Sequence, residues 1–336
     1  MIGGTKMKKN SLYGALGLLI ALLLTGCAED SREESKNSDV LQVYTTVYPL
    51  QFFAEEIGGE YVEATSIYPP GADEHTFEPS QKDMMKIADA DVFFYVGLGL
   101  EGFVEKVKGT FQNENVVLLG AGEHIHLDHD DTNQEEEHLE DEAHHDEDSH
   151  SQHSEDEAHD HGGIDPHVWI DPIYSKELAE SIKDQLIEQL PAHSETFEQN
   201  FEELAKNLDT LDTQFTELVK NAKHKEIIVA HSAYGYWETR YGIKQISISG
   251  MSTTSEPSQK ELQTLIEHGK EAGLKYVISE QNYDSKLAEI VQKELGAQPL
   301  TLHNLSVLTE NDLAKKETYF SLMEKNLQTL EKALNE

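Results

Sequence analysis

One segment of this chain limits where folded structure can form. Residues 123–161 contain ten histidines and seventeen aspartates or glutamates, with no lysine or arginine. The segment has almost no apolar side chains, so burial cannot offset the entropy of ordering it. We therefore predict that this segment, the His/acid run, is a disordered loop and that the folded core comes from the sequence on either side.

The composition of the run indicates metal binding. Imidazole nitrogens and carboxylate oxygens suit a divalent ion such as Zn²⁺. A solvated acidic linker is the alternative, but it explains the carboxylates and not the ten histidines. The run is predicted to be an auxiliary metal loop with the histidines His124, His126, His129, His138, His144, His145, His150, His153, His159 and His161.

Charge and length exclude one class of function and set the scale of the fold. The formal net charge of −38 argues against binding of nucleic acid through phosphate contacts. A chain of 336 residues, 38% of them hydrophobic, can bury a core in two domains.

The first 27 residues are predicted to be a lipoprotein signal peptide. Lysines precede an apolar stretch over residues 12–24, which is shorter than the roughly 20 residues of a membrane-spanning helix. The stretch ends in Leu24-Thr25-Gly26-Cys27, which resembles a bacterial lipobox and contains the only cysteine. A diacylated Cys27 would anchor the protein at the extracytoplasmic face of the cell membrane, with residues 28–39 as a flexible tether. An ordinary cleaved signal peptide is the alternative.

The rest of the chain alternates strands and helices, which predicts an α/β fold. We expect two βα lobes, each with a four-stranded sheet: an N-terminal lobe over residues 40–173 and a C-terminal lobe over residues 226–336. Helices over 174–225 lie between them, including an uninterrupted pattern over 191–222 that would be roughly 45 Å long. We interpret that pattern as a long rigid helix joining the lobes. Other predicted helices include 99–111 and a closing helix over 313–334.

Four residues outside the run are candidate metal ligands. His231 and Glu280 directly follow predicted strands, and His75 lies in the loop after another. His167 lies in the Asp-Pro-His-Val-Trp motif that follows the run. Ligands in open α/β sheets bind outside the carboxyl ends of strands, so a cleft between the lobes would gather three imidazoles and one carboxylate. Singly, each residue has a structural alternative: a surface loop, a turn, a core histidine or a helix cap. The remaining histidines, His193, His224, His268 and His303, are predicted to be structural.

The motifs around these residues resemble a known family. Pro-Pro-Gly-Ala-Asp-Glu-His, Asp-Pro-His-Val-Trp-Ile-Asp-Pro, Ala-His-Ser-Ala-Tyr and Ser-Glu-Gln together are similar to the metal-binding lipoproteins of bacterial ABC importers for zinc or manganese, specifically the zinc members. The resemblance covers everything after Cys27. It implies two lobes joined by a rigid helix and a metal in the cleft, bound by His75, His167, His231 and Glu280. Some streptococcal-type relatives continue into a second zinc-binding domain, which we do not expect after Glu336.

The resemblance implies high-affinity capture of Zn²⁺ and its delivery to an ABC permease with its ATPase, by a monomer that is not an enzyme. Manganese members present two histidines and two carboxylates, with an acid in place of His231. Three imidazoles and one carboxylate instead favour zinc. The alternatives are a manganese receptor of the same family, a surface zinc buffer or adhesin, and a zinc hydrolase, although the sequence has no HExxH motif.

Four further residues are predicted to be partners that orient the ligands: Asp165, Glu74, Ser232 and Glu78.

Overall fold

Two parallel four-stranded sheets form the framework of the protein. The computed structural model describes residue 1 and residues 40–111, 114–127, 164–283 and 285–336. Residues 2–27 of the predicted signal peptide with Cys27, the tether over 28–39, and the run from residue 128 to 161 lie outside the described residues. None of the helices in the described ranges is both long and apolar enough to span a membrane.

The first sheet has the strand order β2-β1-β3-β4. All four residues of β3, Val-Phe-Phe-Tyr, are buried, as expected for a parallel strand covered on both faces. Ser80 caps the second helix through a reciprocal pair of hydrogen bonds with Asp83. The elements of this first lobe are β1 (Leu41–Thr45), α1 (Tyr48–Gly58), β2 (Val62–Ser66), α2 (Gln81–Ala88), β3 (Val92–Tyr95), α3 (Val104–Thr110) and β4 (Val117–Gly120).

Helix α3 begins later than residue 99, where the sequence pattern placed its start. Gly97, Leu98 and Gly99 have φ angles of 79°, 56° and 85°. Three successive residues with positive φ cannot belong to a right-handed helix. This turn lies just beyond the carboxyl end of β3.

Two helices connect the lobes: α4 (Pro172–Gln189) and α5 (Ser194–Lys220). The 27 residues of α5 give it a length of about 40 Å. Near its start, the Asn200 side chain donates a hydrogen bond to Ile57 O of α1 at 2.9 Å. Near its end, the Phe215 ring lies 5.1 Å from the ring of Trp237 in the second lobe. A long helix that contacts both lobes is therefore confirmed.

The second sheet repeats the topology of the first, with the order β6-β5-β7-β8. Its elements are β5 (Glu226–Val229), α6 (Gly235–Tyr241), β6 (Lys244–Ser247), α7 (Gln259–Glu271), β7 (Tyr276–Glu280), α8 (Lys286–Leu295), β8 (Gln298–Leu302), α9 (Glu310–Lys315) and α10 (Tyr319–Asn335). The prediction of one closing helix over 313–334 is wrong, because the backbone turns at Lys316, whose φ is 55°. Thr318 then caps a new helix through a capping box with Ser321.

The last helix packs against the first lobe. The Tyr319 ring lies 5.2 Å from that of Phe53 and 6.0 Å from that of Phe52, both in α1. In the segment before α9, Ser306 O accepts a hydrogen bond from the main-chain N–H of Tyr48 at 2.8 Å. The two lobes are therefore held together by aromatic packing and main-chain bonds as well as by α5.

Candidate metal centre

His75 is held by a turn in the loop after β2. Asp73 Oδ1 accepts the main-chain N–H groups of His75, at 2.9 Å, and of Thr76, at 3.1 Å. Asp73 Oδ2 accepts a hydrogen bond from Thr253 Oγ1 of the second lobe at 2.6 Å. This loop, with a partly buried imidazole, is thereby fixed against the other lobe.

His167 is fully buried just before α4. Asp165 Oδ1 lies 2.7 Å from His167 Nδ1 and also accepts the main-chain N–H of His167 at 3.0 Å. Because a carboxylate can only accept, Nδ1 carries a proton in this contact, which leaves Nε2 as the nitrogen that a metal ion could bind. The prediction that Asp165 lies beside a candidate ligand agrees with this contact.

His231 lies two residues beyond β5 and is also fully buried. Its Nδ1 is 2.8 Å from Glu280 Oε1, and Glu280 is the last residue of the neighbouring strand β7. The Tyr234 hydroxyl donates to the same oxygen at 3.3 Å. Glu280 therefore fixes the ring of His231 in the same way that Asp165 fixes the ring of His167.

The three Nε2 atoms converge on one point. The distances are 3.2 Å between His167 and His75, 3.3 Å between His231 and His167, and 3.4 Å between His75 and His231. An ion with tetrahedral Zn–N bonds of about 2.0–2.1 Å would separate its nitrogens by about 3.3–3.4 Å. Right-angled bonds of the same length would bring them to about 2.9 Å. The spacing of the three imidazoles thus matches three corners of a tetrahedron.

The electrostatic environment keeps His75 neutral. Burial and then the neighbouring His167 and His231 lower the pKa of His75 to about 3. Burial also acts to lower the pKa of His231, but the charge and hydrogen bond of Glu280 outweigh it and raise that pKa. Neutral imidazoles bind metals and protonated ones do not. A proton would therefore compete with a metal ion at His231.

The predicted fourth ligand, Glu280, lies on the outer side of His231. Its Oε1 contacts His231 Nδ1 and its Oε2 accepts from Asn304 Nδ2 at 2.9 Å. Among the described residues, the group of candidate ligand atoms that lie within 4.8 Å of one another consists of the three histidines. Glu280 thus orients a candidate ligand in this structure and does not face the point on which the Nε2 atoms converge.

Asn304 is a residue that the sequence reasoning did not identify. Its Nδ2 contacts Glu280 and also Glu74 Oε1, at 2.9 Å each. Burial and then the charge of Glu280 raise the pKa of Glu74 to about 7. No local signal distinguishes Asn304, because Glu280 and Glu74 lie 24 and 230 residues away in the sequence. Asp73, by contrast, precedes His75 by two residues, and this spacing is typical of an Asx turn.

The other two partners considered from the sequence lie elsewhere. Glu78 forms an exposed ion pair with Lys106 at 3.6 Å. The main-chain N–H of Ser232 donates to Gly250 O at 3.1 Å.

Two histidines of the run fall among the described residues. His124 and His126 are exposed, and the main-chain N–H of His126 donates to Glu177 Oε2 of α4 at 2.9 Å. They line a cavity of about 630 Å³ with the acidic face of α4. The eight remaining histidines of the run lie outside the described residues.

The four histidines predicted to be structural are placed away from the three converging rings. The ring of His193 stacks on that of Tyr61 at 3.7 Å, His268 pairs with Glu226 at 3.0 Å, and His303 pairs with Asp312 at 3.2 Å. His224 is exposed.

Comparison with known proteins gives a consistent assignment. Residues 43–333 match the family described as zinc-uptake complex component A, periplasmic (ZnuA). The zinc-binding lipoprotein AdcA of Streptococcus pneumoniae serotype 4 is 34% identical over 339 aligned positions, which cover 98% of this chain and 62% of that protein. The high-affinity zinc uptake system protein ZnuA of Bacillus subtilis is 32% identical, over 93% of this chain and 94% of that protein.

A solved structure shows the same fold. The Zn(II)-bound ZnuA-like domain of Streptococcus pneumoniae AdcA is 31% identical and superimposes with a TM-score of 0.69, over 88% of this chain and 100% of that domain. The chain spans 62% of the length of the full streptococcal lipoprotein. The similarity to that lipoprotein therefore covers the part that contains both lobes described above.

Proposed function

The chain belongs to the zinc-uptake complex component A (ZnuA) family, and from this premise we propose that it captures Zn²⁺ outside the cytoplasm and delivers it to an ABC permease. The observation that carries the proposal is the triangle of Nε2 atoms from His75, His167 and His231, with sides of 3.2–3.4 Å. Two of these rings are oriented by carboxylates, an arrangement that is usual around metal-bound imidazole.

Zinc is the proposed cargo because of the donor set. Imidazole is a borderline ligand that suits zinc, whereas manganese favours carboxylate, carbonyl and water oxygens. Three imidazoles in tetrahedral spacing therefore favour Zn²⁺ over Mn²⁺. The relatives from Streptococcus pneumoniae and Bacillus subtilis are named as a zinc-binding and a zinc-uptake protein, which supports the same choice.

We propose Glu280 as the fourth donor. In the structure its oxygens are directed to His231 Nδ1, the Tyr234 hydroxyl and Asn304 Nδ2. Binding through Glu280 thus requires its side-chain torsions to change when the ion enters. A fourth donor from the protein would favour holding the ion over catalysis, because catalytic zinc keeps a position open for water.

The contacts between the lobes favour a small movement on binding. Helix α5 contacts both lobes, and Tyr319 packs on Phe52 and Phe53. A wide opening of the cleft would break this packing. Zinc therefore enters and leaves through local movement, and the partly buried His75 is the most accessible of the three ligands.

The remaining parts of the proposal rest on the sequence. Cys27 would carry the lipid that keeps a monomeric receptor near its permease and ATPase, and the relative from Streptococcus pneumoniae is named as a lipoprotein. The His/acid run would raise the local zinc concentration through many weak sites. A surface zinc buffer, in which the run is the main binding element, is the alternative.

A zinc titration against a chromogenic chelator tests the proposal. One variant replaces the eight run histidines beyond residue 127 by asparagine and keeps the chain length. This variant should still bind one equivalent of zinc tightly. Adding His231→Ala to it should abolish that tight site, whereas adding His224→Ala, a change at an exposed histidine, should leave it intact. If the variant without the eight histidines has no tight zinc site, the surface zinc buffer is favoured. If the wild-type protein binds Mn²⁺ more tightly than Zn²⁺, a manganese receptor is favoured.

A further inference from the structure

Asn304 is a buried residue two positions after β8, and its amide has a defined orientation. Asn304 Oδ1 accepts from the main-chain N–H of Ser306 at 3.1 Å, from Ser306 Oγ at 2.9 Å and from Gln281 Nε2 at 2.9 Å. A main-chain N–H can only donate, so the oxygen must face Ser306. The Nδ2 group therefore points in the opposite direction.

In that direction Nδ2 meets two buried carboxylates from different lobes. Glu74 Oε1, in the first-lobe loop, and Glu280 Oε2, at the end of β7, each lie 2.9 Å away. An amide NH₂ has two hydrogens, so one group donates to both carboxylates. This places one donor between two buried carboxyl groups from different lobes, so the same amide satisfies an oxygen of each.

Bonds from Asn304 reach the surroundings of all three histidines. Glu74 directly precedes His75, and Glu280 holds His231 through Nδ1. The main-chain oxygen of Asn304 accepts the indole N–H of Trp169 at 2.7 Å. The ring of Trp169 in turn lies 5.3 Å from the ring of His167.

We infer that Asn304 is a positioning residue that fixes the three imidazoles of the metal centre relative to one another across the two lobes. The inference rests on the proposed zinc-binding function and goes beyond it by naming what holds the three rings in place before the ion enters and Glu280 turns towards it. Asn304 does not itself bind the ion. Without the NH₂ group of Asn304, Glu280 and Glu74 each lose a buried donor and the link between them is gone. The rings of His231 and His75 then lose their fixed separation.

The test compares Asn304→Asp and Asn304→Ala with the matched control Ser306→Ala. Asn304→Asp keeps the shape but replaces the donor by an oxygen, and Asn304→Ala removes the side-chain contacts. Ser306→Ala removes one donor to Oδ1 and leaves both Nδ2 bonds. We expect the Kd for zinc to rise about 10- to 100-fold in both Asn304 variants, the effect typical of residues that orient metal ligands, and to change less than threefold in the control.

Two readouts separate positioning from a general structural role. The rise in melting temperature on adding zinc should shrink in the Asn304 variants, and the visible spectrum of bound Co²⁺ should lose its tetrahedral intensity. Equal destabilisation of the zinc-free and zinc-bound forms, with unchanged Kd and Co²⁺ spectrum, would overturn the inference. If Asn304→Asp and Asn304→Ala do not fold, Asn304→Gln, which keeps an NH₂ group but displaces it by one methylene from both carboxyl groups, should still raise the Kd. An unchanged Kd there would also overturn it.

The wild-type protein separates this inference from the proposed function. A wild type without a tight zinc site would overturn both, whereas a tight wild-type site that survives unchanged in the variants would overturn the role of Asn304 alone.

Discussion

The substitution Glu280→Gln removes one negative charge from the metal centre and keeps the shape of the side chain. In the structure Glu280 Oε1 lies 2.8 Å from His231 Nδ1, and Oε2 lies 2.9 Å from Asn304 Nδ2. A glutamine oxygen can still accept the proton on His231 Nδ1, but its NH₂ group then faces the NH₂ group of Asn304. The substitution therefore weakens the orientation of His231 without removing it.

The size of the effect depends on whether Glu280 binds the ion. If it only orients His231, the loss is the difference between a charge-assisted and a neutral hydrogen bond, about 1.4 kcal/mol or tenfold in Kd. If it binds zinc, removing a buried anion from a cation costs about 3–5 kcal/mol, which is more than a hundredfold. Since we propose Glu280 as the fourth donor, we expect the larger loss.

Competition with a chromogenic zinc chelator at neutral pH measures this difference. Glu74→Gln is the matched control, because Glu74 accepts from the same Asn304 amide at 2.9 Å and is not a proposed ligand. We expect less than about a tenfold change in the control, as for loss of one charge-assisted bond. A Kd for Glu280→Gln within threefold of the wild type would refute the reasoning for both roles of Glu280.

Four further predictions come from the same geometry. Burial lowers the pKa of His75 to about 3, whereas for His231 the charge of Glu280 outweighs burial and raises the pKa. Zinc must therefore displace a proton from His231, so the Kd should rise by up to about tenfold per pH unit below that pKa; calorimetry from pH 5 to 8 that shows a constant Kd would contradict this. Because the pKa of His231 is raised in the folded protein, protonation of His231 stabilises the zinc-free protein below the pKa of the unfolded chain, about 6.5. This stabilisation is lost as the pH rises through the pKa of the folded state. The increase in melting temperature caused by zinc should therefore grow with pH. Small-angle scattering should show a change in radius of gyration below about 1 Å on adding zinc, and a larger change would exclude a preorganised cleft. Phe215→Ala, in a fully buried ring 5.1 Å from Trp237, should lower the free energy of unfolding by about 3–5 kcal/mol in urea titrations, and a substantially weakened zinc site in the folded variant would show that this packing reaches the metal centre.

The two lobes and the three histidines could be predicted from the sequence because strong local patterns specify them. Apolar runs and capping residues placed the strands and most helices, and the ends of the strands placed His231 and Glu280. The structure brings His75, His167 and His231 together, and their role as ligands stays a prediction that the titration above tests.

The parts that the sequence did not predict depend on non-local contacts or on unusual backbone angles. Lys316 adopts φ 55° although no glycine marks the position, so the break between α9 and α10 had no obvious signal. The orientation of Glu280 depends on Asn304 and Tyr234, which lie 24 and 46 residues away. Periodicity and motif spacing carry no information about such contacts.

In the first lobe the candidate ligands lie in loops and not at the ends of strands. In both sheets the topology reverses between two central strands, which is where open α/β sheets bind ligands. In the second lobe the ends of β5 and β7 carry His231 and Glu280. In the first lobe the corresponding place is occupied by the buried carboxylate of Glu101, which accepts from Thr46 Oγ1 at 2.7 Å and from the main-chain N–H groups of Val96 and Gly97 at 2.8 and 3.0 Å.

Glu101 thus fills the corresponding position of the first lobe with a carboxyl group from the same lobe. Burial raises the pKa of Glu101 to about 7, against the three donors that stabilise the charged form. The main-chain N–H groups of Val96 and Gly97, just beyond β3, are thus bonded within the first lobe. This lobe contributes instead through the His75 loop and the segment at His167, which reach past the sheet to the ends of β5 and β7. In this arrangement the candidate metal centre lies at the ends of β5 and β7, with the first lobe supplying two of its three histidines.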